Sequence, residues 1–387
     1  MAGNYRISHL ELNNDFSQLR VPTLDTETGS LKIMSRAVTY RDTQKFVNTV
    51  YMPHVGGTVY EAFLRIDLRT LRHIDSDPAK QEAFINKRLP PSVADQLFGK
   101  ITPIIFMLID IKAGDVITDG DIEYINHLLM WSANRLYVTP ILNFESIYQL
   151  EDSRKIYVDF VKRLLEQKNR VAPNMRVVAT VPAFFQRNRV KDIFPLYENE
   201  NKIPEAVVVD FGKQRITSTK MIGIVESVHS YFNDEKHENY MLYGFNVKPH
   251  KKGADNPIAE DLGCYLKGIS SIGGNYRLSL NTRIFFPPII DWKQLPKLVD
   301  EASYKYVPLT DEGVRKRLTD WTLVNLDGQI GDLTPSNNWS GRISKYNLDK
   351  VGIEAKELSV MVKEGDLTSL IKRLQGKEVA EFLRHTK

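Results

Sequence analysis

The sequence predicts an α/β fold, and within that class a (β/α) barrel rather than an open doubly wound sheet. Three observations lead there. Five short apolar runs, Ile104–Ile111, Leu136–Leu142, Arg176–Val181, Ala206–Phe211 and Tyr240–Val247, alternate with amphipathic stretches. They recur at roughly 30 to 40 residues, the size of one βαβ unit. Each run is nearly continuous in apolar character, as in strands buried on both faces of a parallel sheet.

The intervening segments read as helices. After the first run, Asp119 or Asp121 caps a helix with Ile122, Ile125 and Leu129 on one face. After the second, Tyr157, Phe160, Val161, Leu164 and Leu165 form an apolar stripe, and after the third Val190, Ile193, Phe194 and Tyr197 do the same. Thr217 or Ser218 caps the next helix, which turns Met221, Val225, Val228 and Phe232 inward. A fifth carries Ile258, Leu262, Tyr265, Leu266 and Ile269.

The barrel is favoured over the open sheet because no G-x-G-x-x-G follows the first strand and no Walker A sequence occurs. A full barrel takes about 250 residues. Its remaining strands are assigned to Tyr60–Leu68 and Ile284–Ile290. Three regions follow: a β-rich N-terminal part over 1–100, the β/α core over 101–290, and a mostly helical part over 291–387. The N-terminal part holds short runs at Ala37–Tyr40, Phe46–Tyr51 and Thr58–Ile66, and a short helix at Val93–Phe98. In the last region helices are expected at Leu295–Tyr304, at Glu312–Val324 and from Asp366 onward, where a second turn carries Val379, Phe382 and Leu383. Asp327–Tyr346, rich in Gly, Ser, Asn and Asp, reads as a long loop.

Composition removes several function classes. Of 387 residues, 42% are hydrophobic and 26% charged, which is globular and excludes a wholly disordered chain. One cysteine, Cys264, excludes a disulfide framework and any Cys-based zinc or iron–sulfur site. Cys264 itself reads as a small buried residue. A net charge of +4 lacks the footprint of a dedicated nucleic-acid coat. The longest apolar runs are too short to span a bilayer, so a soluble, cytoplasmic protein with no membrane partner is expected.

In α/β folds ligands bind at the carboxyl ends of strands. The residues there are Asp110 and Lys112, then Asn143 and Glu145, then Asp210 and Lys213, then Asn246, Lys248 and His250. Asp110, Asp210, Glu145 and His250 are the candidate catalytic groups, because carboxylates and an imidazole beside lysines perturb one another's pKa values. For each single residue the competing reading is a solvated loop or a cap, and Asp110 has Lys112 within pairing reach. The same four carry the ligand types of a dispersed divalent-cation site, although no local metal-binding motif is present. Lys248, Lys251 and Lys252, in a segment that opens the Ile258 helix, favour an anion such as phosphate. Gly273 and Gly274 add backbone N–H groups that suit a phosphate, or equally a hairpin turn. Phe184, Phe185, Arg187 and Arg189 interleave aromatic and basic groups, as a single-stranded nucleic-acid or heterocycle surface does, or as a strand-end cover does.

The strand–helix rhythm from Arg176 to Pro249 resembles that of several β/α-barrel enzymes, among them the tRNA-guanine transglycosylase group. That group's zinc-binding cysteine cluster cannot form here, and its Asp-Ser-Gly-Gly-Phe type of base-binding segment is absent, so no functional residue carries over. The sequence thus leads to an enzyme acting on an anionic, phosphate-bearing or nucleotide-like ligand. The residue types suit a hydrolase, a lyase or a glycosyl or base transferase alike. The alternatives are a nucleic-acid-binding or base-modifying protein and a non-catalytic assembly protein.

Overall fold

The computed structural model describes residues 7–8, 23–26, 29–32, 35–39, 59–86, 102–132, 137–145, 149–175, 177–198, 204, 206–234, 240–251, 253–274, 291–326, 335–375 and 377. A small antiparallel sheet comes first, of β1 (Ile7–Ser8), β2 (Thr23–Thr26) and β3 (Gly29–Lys32). Next come β4 (Ser35–Arg36), β5 (Val38–Thr39) and β6 (Val59–Asp67), then helices α1 (Leu68–Asp75) and α2 (Pro78–Asn86). Strand β7 (Thr102–Ile111) leads to α3 (Asp119–Ser132), and β8 (Tyr137–Val138) with β9 (Ile141–Phe144) leads to α4 (Leu150–Val171). Then β10 (Val177–Val181), β11 (Ala206–Asp210), α5 (Thr219–Asp234), β12 (Met241–Phe245), α6 (Glu260–Leu266) and β13 (Ser271–Ile272) follow. The chain continues through β14 (Leu298–Asp300), β15 (Lys305–Val307), α7 (Glu312–Asn325), α8 (Asn337–Glu364) and α9 (Leu367–Leu374).

The fold is α/β with parallel sheets, as the sequence predicts. One sheet has the order β4-β13-β12-β11-β10-β8 and the other β5-β6-β7-β9. Every ladder within both is parallel. Only Ala37 separates β4 from β5, and only Thr139 and Pro140 separate β8 from β9. Two chain segments therefore pass from one sheet to the other, and Ala37 N–H still donates to Ile272 at 2.9 Å.

Strand β7 explains why its run is apolar throughout. Ile105, Met107 and Ile109 belong to the large cluster beneath the helices, while Ile104, Phe106 and Leu108 belong to a second cluster. That second cluster takes residues from both sheets, including Ile141, Val178, Val208 and Phe245. Helix α4 buries the expected stripe of Tyr157, Phe160, Val161, Leu164 and Leu165. Helix α3 is capped one residue before the expected pair: Thr118 Oγ1 accepts from Asp121 N–H, and the Asp121 carboxylate accepts from Thr118 N–H at 2.8 Å. Ser218 caps α5, accepting from Met221 N–H at 3.4 Å.

Four expectations need correction. The third helical segment is a pair of 3₁₀ turns, Arg187–Asp192 and Phe194–Leu196, because Pro195 cannot donate an intrahelical bond. Leu295–Tyr304 is not a helix but the start of the β14–β15 hairpin. Asn347 on α8 pins its edge, accepting from Val299 N–H and donating to Lys297 O, each at 2.8 Å. The segment expected as a loop up to Tyr346 becomes helical from Asn337, since Trp339, Ile343 and Tyr346 bury one face. The expected strand Leu136–Leu142 divides into β8 and β9 in different sheets, the break falling at Pro140, which has no N–H for a ladder; Ser271–Ile272 adds a strand that pairs with both β12 and β4. Ile284–Ile290, Phe46–Tyr51, Val93–Phe98 and the turn with Val379, Phe382 and Leu383 lie outside the described residues. Helix α8 packs on β4, β14 and α6, in the same apolar cluster as the outer faces of the strands.

Candidate functional site

Ladder register brings Asp67, Asp110 and Asn143 side by side at the carboxyl ends of β6, β7 and β9. Arg65 lies two residues before Asp67 and so on the same face of β6. Its guanidinium grips Asp110 with two bonds, Nε to Oδ2 at 2.7 Å and Nη2 to Oδ1 at 2.9 Å. Asn143 Nδ2 donates to the same Oδ1 at 2.6 Å. The side chains of Arg65 and Asp110 remain 30% and 22% exposed, so this group faces outward as well as inward. Asp110 thus pairs with Arg65 and not Lys112, because a guanidinium fork matches a carboxylate edge. Lys112 bonds Asp67 at 2.6 Å instead. Burial opposes ionisation of Asp67, but hydrogen bonds from Lys112 and Thr70 outweigh it and bring its pKa down to about 2. Glu145 accepts from Ala113 N–H at 2.9 Å.

A second group forms at β11 and β12. Asp210 is 6% exposed and accepts from Gly212 N–H at 2.9 Å and Asn246 Nδ2 at 3.2 Å. Burial lifts its pKa, and those hydrogen bonds only partly offset the rise. The backbone is unusual here. Asn246 (φ 55) and Lys213 (φ 64) are left-handed, as is Gly212 (φ 52). A Cβ on Gly212 would lie 2.7 Å from Ala183 Cβ, so the loop after β11 must approach the loop after β10 closely. Strained positions of this kind gather at functional sites. Lys220, in the first turn of α5, has its pKa lowered by burial, against the pull of Asp210.

The basic segment and the glycine pair behave differently from expectation. Lys248 and His250 are half-buried and Lys251 is exposed, while Lys252 lies outside the described residues. His250 packs on Tyr306 with ring centroids 4.7 Å apart. The first turn of α6 is occupied by the chain's own carboxylates. Glu260 accepts from Arg215 at 2.7 Å and Thr217 Oγ1 at 2.6 Å, and Asp261 accepts from Tyr306 Oη at 2.6 Å. Gly274 N–H does bind a carboxylate, but that of Glu61, at 3.1 and 3.2 Å. A Cβ on Gly273 would overlap this carboxylate and crowd the Tyr243 hydroxyl. Gly274 N–H is therefore committed to the protein's own glutamate, and Gly273 N–H donates to Gly244 O at 2.7 Å.

Glu61 is 0% exposed, and Tyr243 Oη donates to it. Arg36 donates to Ile272 O at 2.8 Å and to Gly273 O. Burial works against its charge, but Tyr265, Asp261, Glu61 and Tyr243 outweigh that and raise its pKa. Glu61, Tyr243, Arg36 and Arg65 are absent from the sequence-derived site. A signal for two of them exists: in Val59–Asp67, Glu61 and Arg65 fall at alternate positions that share the face of Phe63.

Phe185 is 0% exposed, packed against Tyr157 and Phe184, so it covers a strand end and presents no face to a base. Phe184 is half-buried beside it. Arg187 and Arg189 are exposed and pair with Glu226 and Asp192. Cys264 is buried, which drives its pKa well up. Among the described residues no three His, Cys, Asp or Glu side chains gather as a metal site requires. Asp110, Glu145, Asp210 and His250 are instead each held by the separate partners given above. No described helix is long and apolar enough to cross a membrane.

No family model matches this chain. Nor does any curated protein match it in sequence. The reading of function therefore rests on the site's own geometry.

Proposed function

We propose that the parallel strands close into one β/α barrel, and that the protein is an enzyme acting on an anionic, phosphate-bearing or nucleotide-like ligand at their carboxyl ends. Three observations support closure. The segments 35–39 and 137–144 each contribute to both sheets. One apolar cluster draws on both sheets. Rings from the two sheets touch within it: Phe106 stacks on Phe245 at 4.6 Å, and Phe63 meets Phe245 at 5.8 Å.

The observation that carries the enzymatic reading is Asp210. It is a nearly buried carboxylate at a strand end, held by Gly212 and Asn246 beside a left-handed loop. Its raised pKa lets it hold a proton in a pH range where ordinary carboxylates have lost theirs. Asp210 is assigned as the general acid–base group, with Lys220, whose charge acts on it, and Lys213, three residues further along the chain, as the cations of the site. The test is an activity screen in which phosphate monoesters and nucleotides are incubated with the wild type and with Asp210→Asn, and consumption is followed by mass spectrometry. Turnover by the wild type and its loss in the variant are expected. No turnover of any compound, or equal turnover by both proteins, refutes the reading.

A further inference from the structure

Arg65 stands out among the cations at the strand ends. Its Nε and Nη2 are committed to Asp110, and Asp110 is itself held by Asn143. Nη1 donates to no group among the described residues, and the side chain is 30% exposed. A guanidinium fixed in plane by one carboxylate, with an unused edge open to solvent, is shaped to receive a second oxyanion. On the same face of the strand, two residues deeper, lies Phe63. It is half-buried and rests on Phe245 at 5.8 Å, which in turn stacks on Phe106 at 4.6 Å. The open edge of Arg65 is therefore adjacent in the strand to an aromatic floor.

We propose that Arg65 is the ligand's anion receptor, and that the ligand is a flat ring bearing an oxyanion, seated with its ring on Phe63. Asp110 and Asn143 are positioning residues that act through Arg65. This rests on the site proposed above and assigns the half of it opposite in chemistry to Asp210. Because Asp110 balances the charge of Arg65, recognition depends on directed N–H bonds more than on net charge. Binding then varies little with salt, unlike the steep dependence of a protein that follows a nucleic-acid backbone.

The experiment is isothermal titration of the full-length protein with uridine monophosphate, orotate, uridine and inorganic phosphate, at low and moderate salt. Uridine monophosphate or orotate binds the wild type, and uridine and phosphate alone bind at least about tenfold more weakly, the scale of a lost charge-assisted contact. Arg65→Lys, which keeps the charge and loses the fork, weakens the ring-bearing oxyanions by about tenfold or more and leaves uridine unchanged. The charge-balanced pair Arg65→Met with Asp110→Asn does the same without leaving a lone carboxylate. Asn143→Ala lowers the ratio of nucleotide to uridine affinity, and Asn143→Gln restores part of it. Equal affinities in wild type and Arg65→Lys, or equal binding of uridine and its monophosphate, overturn the proposal. If turnover in the activity screen still depends on Asp210, the enzymatic reading stands when this one falls. If no ring-bearing oxyanion binds the wild type and no compound is turned over, both fall.

Discussion

At the carboxyl ends of β6, β7 and β9 the polar groups are half-open, whereas around β4, β12 and β13, where Glu61 reaches in from the start of β6, they are closed over one another. The inventories are alike. One side has Arg65, Asp110 and Asn143; the other has Arg36, Glu61, Tyr243 and Asp261 with the backbone of Gly273 and Gly274. On the closed side every group named has an internal partner, and Tyr306 from the β14–β15 hairpin completes it by bonding Asp261. On the open side Arg65 keeps an unused edge. Residue type does not separate a structural network from a binding site. What separates them is whether hydrogen-bonding capacity remains directed at solvent.

The largest effect expected on that contrast comes from Gly273→Ala. Its Cβ would press on Glu61 and Tyr243 inside a closed network, so a loss of about 3 kcal/mol in denaturant unfolding is expected. Glu61→Leu comes next. It leaves Gly274 N–H and the Tyr243 hydroxyl buried without their acceptor, at a cost of about 2 kcal/mol by the same measurement. Arg65→Met on the open side is milder, about 1 kcal/mol, because both partners are partly solvated. Should the open-side variant prove the costlier, the two sides do not differ in this way.

Two smaller effects appear against pH. A raised carboxyl pKa contributes stability that is fully present below the ordinary carboxylate value and is lost as pH rises through the folded value. Asp210 is such a group, so Asp210→Asn has a higher unfolding temperature than wild type at pH 8, and calorimetry shows the advantage shrinking in acid. Asp67 is the reverse case. Its stabilisation is present above the ordinary carboxylate value and is lost as pH falls towards about 2. Lys112→Ala raises the Asp67 pKa towards its ordinary value, so the variant is slightly less stable than wild type at neutral pH, and the difference vanishes as pH falls towards about 2.

How much of this was legible can be judged from particular elements. Four of the five apolar runs are legible as single strands because strands buried on both faces leave a continuous apolar signal, whereas Leu136–Leu142 divides between two sheets. Asp110, Asn143 and Asp210 were readable as strand ends because each terminates such a run. Val38–Thr39 falls within the short run Ala37–Tyr40, but Ser35–Arg36 and Ser271–Ile272 are too short to carry a period. The β14–β15 hairpin is not legible as one because apolar spacing at Leu295, Leu298, Val299 and Tyr304 suits a helix or a buried edge.

The sequence by itself determined the α/β class, the order of the long strands and helices, and the polar residues that end them. These are local properties, set by periodicity and by where burial stops. Only the tertiary structure decided which polar groups meet. Arg65 reaches Asp110 across 45 positions, and Gly274 reaches Glu61 across 213. Such pairs depend on ladder register and on which strands are neighbours. A chain carries no local mark of either, so an anion-binding glycine pair and one that holds the protein's own glutamate read the same until the strands are side by side.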